Sequence, residues 1–133
     1  MRKIASSLAF KFIGKPYVWG GDDAIAGFDC SGFLIELLKS VGKLPRSGDW
    51  TAKGLYDIFQ DKKVTKAKEG CLVFFAKNNK INHVEYVWKN GLTIGASGGG
   101  SKTITIKDAI KQNAYIKIRP LRNDVYAIVN PFK

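Results

Sequence analysis

Apolar residues recur with a helical period in three stretches of the first sixty positions of the chain. Between residues 4 and 12 the apolar side chains follow helical spacing, which predicts an opening helix of about two to three turns. Residues 30–41 place apolar side chains at i, i+1, i+4, i+5 and i+8, the pattern of a helix buried on one face. Gly42 is its expected C-cap, and Asp49 or Thr51 is expected to cap a third helix.

The period changes to two after residue 70. Short apolar or alternating runs predict strands at 72–75, 83–88, 93–97, 104–106, 115–119 and 125–129, with a short helix near 107–113. Helices followed by an antiparallel sheet define an α+β fold, with the N-terminal helices packed on a central sheet. We see no internal repeat and no linker, so residues 1–133 are expected to form a single domain.

Composition adds a strong positive charge to this picture. The chain has 133 residues, is 45% hydrophobic and carries a formal net charge of +11, which favours polyanionic partners. Nucleic acid, an anionic membrane surface and the anionic bacterial wall are candidates, and a basic surface that only keeps the protein soluble is the alternative. The densest lysine run, residues 62–68, has no interleaved aromatic side chain, so we expect no nucleic-acid partner. No apolar run reaches the length of a membrane span, so no membrane insertion is expected.

Cysteine and histidine are scarce, which narrows the chemistry. Two cysteines cannot build a disulfide framework, and with one histidine no zinc motif of the usual spacing can be assembled. Cys30 directly precedes an apolar helical run, where exposed backbone N–H groups and the helix dipole stabilise a thiolate. His83 is the one histidine that can serve as its base. A Cys30–Cys71 disulfide is possible on paper, but it would consume the thiol whose setting favours reactivity.

A thiol at a helix start with its base on a facing strand is an arrangement that cysteine peptidases use. A buried structural cysteine is the commoner alternative. The sequence blocks around both residues favour the catalytic interpretation. These blocks are GKPYVWGG at 14–21, GFDCSGF at 27–33, GCLVFF at 70–75, HVEY at 83–86 and ASGG at 96–99.

In this order the blocks resemble the NlpC-type cell-wall cysteine peptidases. The resemblance implies a reduced papain-like fold with the nucleophile at a helix N-terminus. It implies cleavage of peptide bonds in the stem peptides of bacterial peptidoglycan, often between D-glutamate and a diamino acid, with no metal or organic cofactor. By the same resemblance Cys30 is the nucleophile and His83 is the base. Tyr17 matches a tyrosine whose hydroxyl lies near the thiol, where it can bind an oxyanion or a substrate carbonyl. A wedge-like core tyrosine is the alternative for Tyr17.

Three further positions match substrate-binding residues of the family. Asp29 and Ser31 flank the nucleophile and, by the resemblance, help to hold the free amino end of the stem peptide. Their local alternative is helix capping, with Asp29 as N-cap and Ser31 in the first turn, and both roles are compatible. Arg46 lies in the loop after the nucleophile helix, where it would pair with a substrate carboxylate, unless it is a plain surface arginine.

The family's third polar residue would fall at position 95, which is a glycine and has no side chain to orient His83. If the turn before it consists of the three residues 89–91, Glu85 lies directly across from Gly95, on the same face as His83. We therefore predict Glu85 as the third catalytic residue. A two-residue turn at Asn90-Gly91 would shift the register by one and remove the argument. Glu85 would then be a solvated strand residue, with a backbone carbonyl or water orienting His83.

The N-terminus lacks the pattern of a secretory signal, so we expect cytoplasmic synthesis and delivery to the wall by lysis or in a virion. A phage or prophage lysin is the interpretation this favours. Two alternatives stay open: amidase or acyltransferase chemistry on the same fold, and a non-catalytic module that binds wall or nucleic acid. The sequence leaves the oligomeric state undetermined.

Overall fold

The computed structural model describes residues 2–18, 22–23, 27–89, 91–97 and 102–133, with 22–23 and 27–28 described for the backbone alone. Parts of two sequence blocks, Trp19-Gly20-Gly21 and Gly98-Gly99, and Asn90 of the predicted turn lie outside these ranges. The helices are α1 (Arg2–Lys11), α2 (Cys30–Ser40), α3 (Ala52–Phe59) and α4 (Ile106–Lys111), and a 3₁₀ turn covers Gln60–Lys62. The strands are β1 (Asp22–Asp23), β2 (Gly27–Phe28), β3 (Leu72–Lys77), β4 (Lys80–Val87), β5 (Leu92–Ser97), β6 (Tyr115–Pro120) and β7 (Ala127–Val129).

Local signals at the helix ends explain where the helices begin and stop. The Thr51 side chain caps α3 by accepting a hydrogen bond from the Gly54 N–H at 3.0 Å. Gly42 follows the C-cap of α2 with φ +77°, a left-handed conformation that glycine adopts without strain. The predicted cap and C-terminal glycine are therefore confirmed.

The five strands β3 to β7 form one antiparallel sheet in the order β6-β5-β4-β3-β7. Helix α2 packs on β4 and β5, and α3 packs on β4. Val84 and Tyr86 of β4 belong to the larger apolar cluster that includes these helices, whereas Val87 joins a smaller cluster with Cys71, Val73 and Phe75. Apolar residues therefore cover both faces of β4, the middle strand. The α+β prediction, with helices on an antiparallel sheet, is confirmed.

Two local predictions differ from the structure, and one pair of strands was not predicted. The strand predicted at 104–106 is wrong, because Thr105 caps α4 in a reciprocal capping box with Asp108 and the helix begins at Ile106. The β-branched residues suggested a strand, but the capping box overrode that local preference. The last strand is also shorter than the predicted 125–129, and the β1–β2 pair was not predicted. No helix within the described ranges is both long and apolar enough to cross a bilayer.

Candidate active site

Cys30 is the first residue of α2, and its thiol is free and partly exposed. Asp29, the N-cap, has extended backbone geometry (φ −87°, ψ −176°), and its carboxylate accepts a hydrogen bond from the Gly32 N–H at 2.6 Å. The Cys30 sulfur therefore lies at the positive end of a helix whose first N–H groups have no partner within the helix. Such a position stabilises negative charge on sulfur and on an oxyanion formed beside it.

A cleft of about 390 Å³ opens above Cys30. Its described lining residues are Tyr17, Asp29, Cys30, Ser31, Asp49, Trp50, Thr51, Ala52, Ile81 and Asn82. They come from the segment after α1, the α2 start, the loop and first residue of α3 and the first half of β4, so four parts of the fold line the cleft. A concave, mixed polar and apolar cleft with a nucleophile in its wall is the geometry of a substrate site.

His83 on β4 hydrogen-bonds to Glu85 and interacts with Cys30. Its Nε2 is 2.7 Å from Glu85 Oε2, which leaves Nδ1 as the ring nitrogen available to the Cys30 sulfur. Only 17% of the His83 side chain is exposed. Burial alone would lower the pKa of His83, but the hydrogen bonds to Cys30 and Glu85 outweigh it and raise the pKa to about 9. The imidazole therefore carries a proton at neutral pH.

The β4–β5 register places Glu85 beside Gly95, as the three-residue turn predicts. Tyr86 pairs with Ile94 and Val87 with Thr93, which brings the next residue pair, Glu85 and Gly95, opposite each other. A Cβ atom added at Gly95 would lie 2.7 Å from Glu85 Cγ. The side chain at 85 thus fills the space that a side chain at 95 would occupy.

Glu85 is fully buried and is held by three hydrogen bonds rather than solvated. Thr93 Oγ1 donates to its Oε1 at 2.7 Å, and His83 and the Arg119 guanidinium both contact its Oε2. Burial would raise the pKa of Glu85, but the hydrogen bonds from His83, Arg119 and Thr93 lower it to about 2. Glu85 is therefore an anion throughout the physiological pH range.

Sequence reasoning missed Thr93 and Arg119. Both lie on strands that were predicted, at 93–97 and 115–119, and Thr93 pairs directly with Arg119 in the β5–β6 register. To find them, one would have to know that β4, β5 and β6 are adjacent strands in the sheet. The alternation of apolar and polar residues predicts strands but not which strands pair, so the hydrogen-bond partners of Glu85 could not be assigned from it.

Three of the four predicted substrate-binding residues line the cleft, namely Tyr17, Asp29 and Ser31. Tyr17 is 5% exposed, and burial together with the negative charges at Cys30 and Asp29 raises its pKa well above the ordinary value. Its hydroxyl therefore stays protonated and can donate a hydrogen bond. Asp29 also acts as the helix cap, which was its local alternative. Arg46 is exposed beyond the C-terminal end of α2 and is not among the residues that line the cleft, so its predicted contact with substrate has no support in this geometry.

Cys71 is unrelated to the site. It is 1% exposed and precedes β3, and burial raises the pKa of its thiol. Both cysteines are free, so they form no disulfide with each other. Among the residues that the structure describes, no cluster of three or more histidine, cysteine, aspartate or glutamate side chains could hold a metal ion.

The fold is an α+β domain in which a thiol at a helix start, a histidine and a buried carboxylate belong to one site. Residues 14–120 match the NlpC/P60 family, and the chain belongs to that family. It is 33% identical over 106 residues to the murein DD-endopeptidase MepH of Escherichia coli, covering 75% of this chain and 38% of MepH. It is 30% identical over 117 residues to a gamma-D-glutamyl-L-lysine dipeptidyl-peptidase of Bacillus subtilis, covering 81% and 37% of the two chains.

Among solved structures, the NlpC/p60 domain of the peptidoglycan hydrolase SagA superposes with a TM-score of 0.69 at 26% identity, covering 98% of each chain. The chain thus corresponds to a whole domain of that structure. It spans less than half the length of the two curated relatives.

Proposed function

We propose that this chain is a cysteine endopeptidase domain that hydrolyses stem-peptide amide bonds of bacterial peptidoglycan. The observation that carries the proposal is the His83 side chain, which hydrogen-bonds to the buried Glu85 carboxylate and interacts with the Cys30 thiol at the start of α2. The names of the relatives, endopeptidases and peptidoglycan hydrolases, support the substrate class.

The chemistry follows from the positions of these groups. The proton of the Cys30 thiol rests on His83, and the Cys30 thiolate attacks the carbonyl carbon of the scissile amide. The oxyanion that forms is stabilised by the positive end of the α2 helix dipole, and the Tyr17 hydroxyl can donate to it. As the C–N bond breaks, His83 gives its proton to the leaving amine. Water then attacks the thioester, His83 takes a proton from it and returns that proton to the departing sulfur.

The charge of the cleft favours a substrate that carries an ammonium group. The described lining residues include the carboxylates of Asp29 and Asp49 but no lysine or arginine, although the chain as a whole has a net charge of +11. An acidic cleft on a basic protein suits a peptide with a free amino end close to the scissile bond. We therefore propose the bond between D-glutamate and the diamino acid, the linkage named for the Bacillus subtilis relative.

The test is to incubate purified peptidoglycan with the wild type and with Cys30→Ala and to determine the fragment masses. The expected products are a short fragment that ends in D-glutamate and a new amino end on the diamino acid, both absent with Cys30→Ala. Cleavage at the D-alanyl cross-link, as the name of MepH would suggest, would contradict the proposed bond. A folded wild type that releases no peptide fragment would contradict the endopeptidase proposal.

Asp29→Asn is a matched variant for the role of the cleft carboxylate, because asparagine still caps a helix but carries no charge. We expect it to raise KM for peptides with a free amino end and to leave KM for amino-acetylated peptides unchanged. Equal effects on both substrates would show that Asp29 only caps α2.

A further inference from the structure

Arg119 of β6 reaches across β5 to the catalytic side chains of β4. Its Nη2 hydrogen-bonds to Glu85 Oε2 and lies 3.4 Å from His83 Nε2. Oε2 therefore receives two cationic donors at once, while Thr93 occupies the other carboxylate oxygen. His83 Nε2 faces Oε2 and carries a hydrogen when the ring is protonated, and the nearby Arg119 Nη2 also carries hydrogen. Neither nitrogen can then accept from the other, so the contact between Arg119 and the protonated ring is repulsive.

In this arrangement Glu85 stays ionised whether or not His83 carries its second proton. A guanidinium does not lose its proton in proteins, so Arg119 keeps the buried carboxylate paired even when His83 has given its proton away. The Arg119 Nη2 donor on one carboxylate oxygen and the Thr93 hydroxyl on the other leave Glu85 little freedom to turn from the ring. The positive charge of Arg119 so close to the ring also opposes proton uptake by His83.

We propose that Arg119 is a positioning residue that fixes the Glu85 carboxylate against His83 and sets how readily the imidazole releases its proton. A carboxylate alone would hold the imidazolium tightly and slow proton delivery to the leaving amine, because general acids work best when they bind the proton neither too tightly nor too weakly. The kinetic part of this proposal rests on the proposed function, whereas its effect on the titration of His83 does not.

The surroundings of His83 come from four elements, three of which contribute a titratable or charged group. Its described titratable and charged neighbours are Cys30 from α2, Glu85 from its own strand and Arg119 from β6. Phe75 of β3 contributes an uncharged ring 5.7 Å from the imidazole, and Arg122, itself paired with Asp124, stacks on that ring at 4.3 Å. Arg119 is thus the cation in hydrogen-bond range of the ring among these neighbours.

A direct test is available because the chain contains a single histidine, whose ring resonances can be followed by NMR without ambiguity. The Cys30→Ala background removes the thiol proton, so the titration reports His83 with Glu85 and Arg119 alone. There we expect Arg119→Met to raise the titration midpoint by about one pH unit and Glu85→Gln to lower it by about one unit or more. Arg119→Lys, which keeps the charge without the planar fork, should stay near the starting value.

Thr93→Val is the matched control, since it removes a hydrogen bond to Glu85 without changing any charge. It should move the midpoint far less than Arg119→Met. A midpoint that does not move in Arg119→Met, or that falls as in Glu85→Gln, would overturn the proposal. If Arg119→Met does not fold, the comparison is Glu85→Gln with Glu85→Gln/Arg119→Met, which removes the buried charges as a pair. The double variant must then titrate higher than Glu85→Gln.

The kinetic readout uses the otherwise unaltered enzyme. Arg119→Met should lower kcat roughly tenfold with little change in KM, and its pH profile should extend further to the basic side. Arg119→Lys should recover most of kcat. An unchanged kcat and pH profile would overturn the catalytic part. A wild type without peptidase activity would instead refute the proposed function and leave the NMR result to decide the role of Arg119.

Discussion

Gly95→Ala tests the cross-strand exchange between Glu85 and Gly95 with the smallest possible change. An added Cβ would lie 2.7 Å from Glu85 Cγ and 3.2 Å from Glu85 Cδ, both closer than ordinary contacts between carbon atoms. Glu85 cannot withdraw freely, because His83, Arg119 and Thr93 hold its carboxylate. The new methyl group must therefore push the buried side chain or separate the strands.

Overpacking of this kind costs about 1 to 3 kcal/mol. For a domain of this size that corresponds to a loss of about 4 to 10 °C in Tm. In the Glu85→Ala background the obstacle is gone, and Gly→Ala in a strand then stabilises by about 0.4 to 1 kcal/mol, because the unfolded chain loses freedom. The two substitutions should therefore be coupled by roughly 1.5 to 4 kcal/mol.

The assay is urea unfolding of the wild type, both single variants and the double variant, with the coupling energy taken from the four free energies of unfolding. Gly54→Ala serves as control, because its added Cβ would meet Trp50 and not Glu85, so its cost should not depend on the residue at 85. A coupling energy below about 0.5 kcal/mol between positions 85 and 95 would refute the register argument. The assignment of Glu85 as the third catalytic residue would then lose its basis.

Three further results are expected. Because the pKa of Glu85 is lowered from 4.5 to about 2, its ionised form stabilises the native state above pH 4.5, and this contribution is lost as the pH falls towards 2. The stability advantage of the wild type over Glu85→Gln should shrink by about 3 kcal/mol across that window in urea unfolding, and a constant difference would contradict the assigned charge state. In the native protein a thiol reagent should titrate Cys30 alone, with Cys71 reacting only after unfolding, and a prompt second equivalent would show that Cys71 is accessible. Thr105→Ala should cost about 1 kcal/mol in thermal unfolding without altering peptide cleavage, and equal stability would mean that the cap of α4 is not formed in solution.

The sequence predicted those parts of the fold that depend on local signals. The apolar period of residues 30–41, the Gly42 terminus and the Thr51 cap correspond to α2 and the start of α3. The position of Glu85 opposite Gly95 was also predictable, because a hairpin turn fixes the register of the two strands it joins. These inferences use contacts between residues that are close along the chain.

The remaining features of the site depend on distant pairings. Arg119 meets Glu85 because β6 lies beside β5 in the sheet, although the Thr93 and Arg119 strands are separated along the chain by a helix. Arg46, in the loop after α2, is not among the residues that line the cleft, and its pairing with a substrate carboxylate stays a prediction. Neither placement follows from residue spacing without the assembled sheet.

The exchange between positions 85 and 95 also bears on how relatives of this chain should be compared. Two residues that face each other across a hairpin can each place a side-chain functional group at nearly the same point. The group can therefore be supplied from either strand. An alignment scored column by column would record a missing orienting residue at 95 and mark the domain as degenerate. Scoring opposed pairs as units would retain such sequences as candidates for activity.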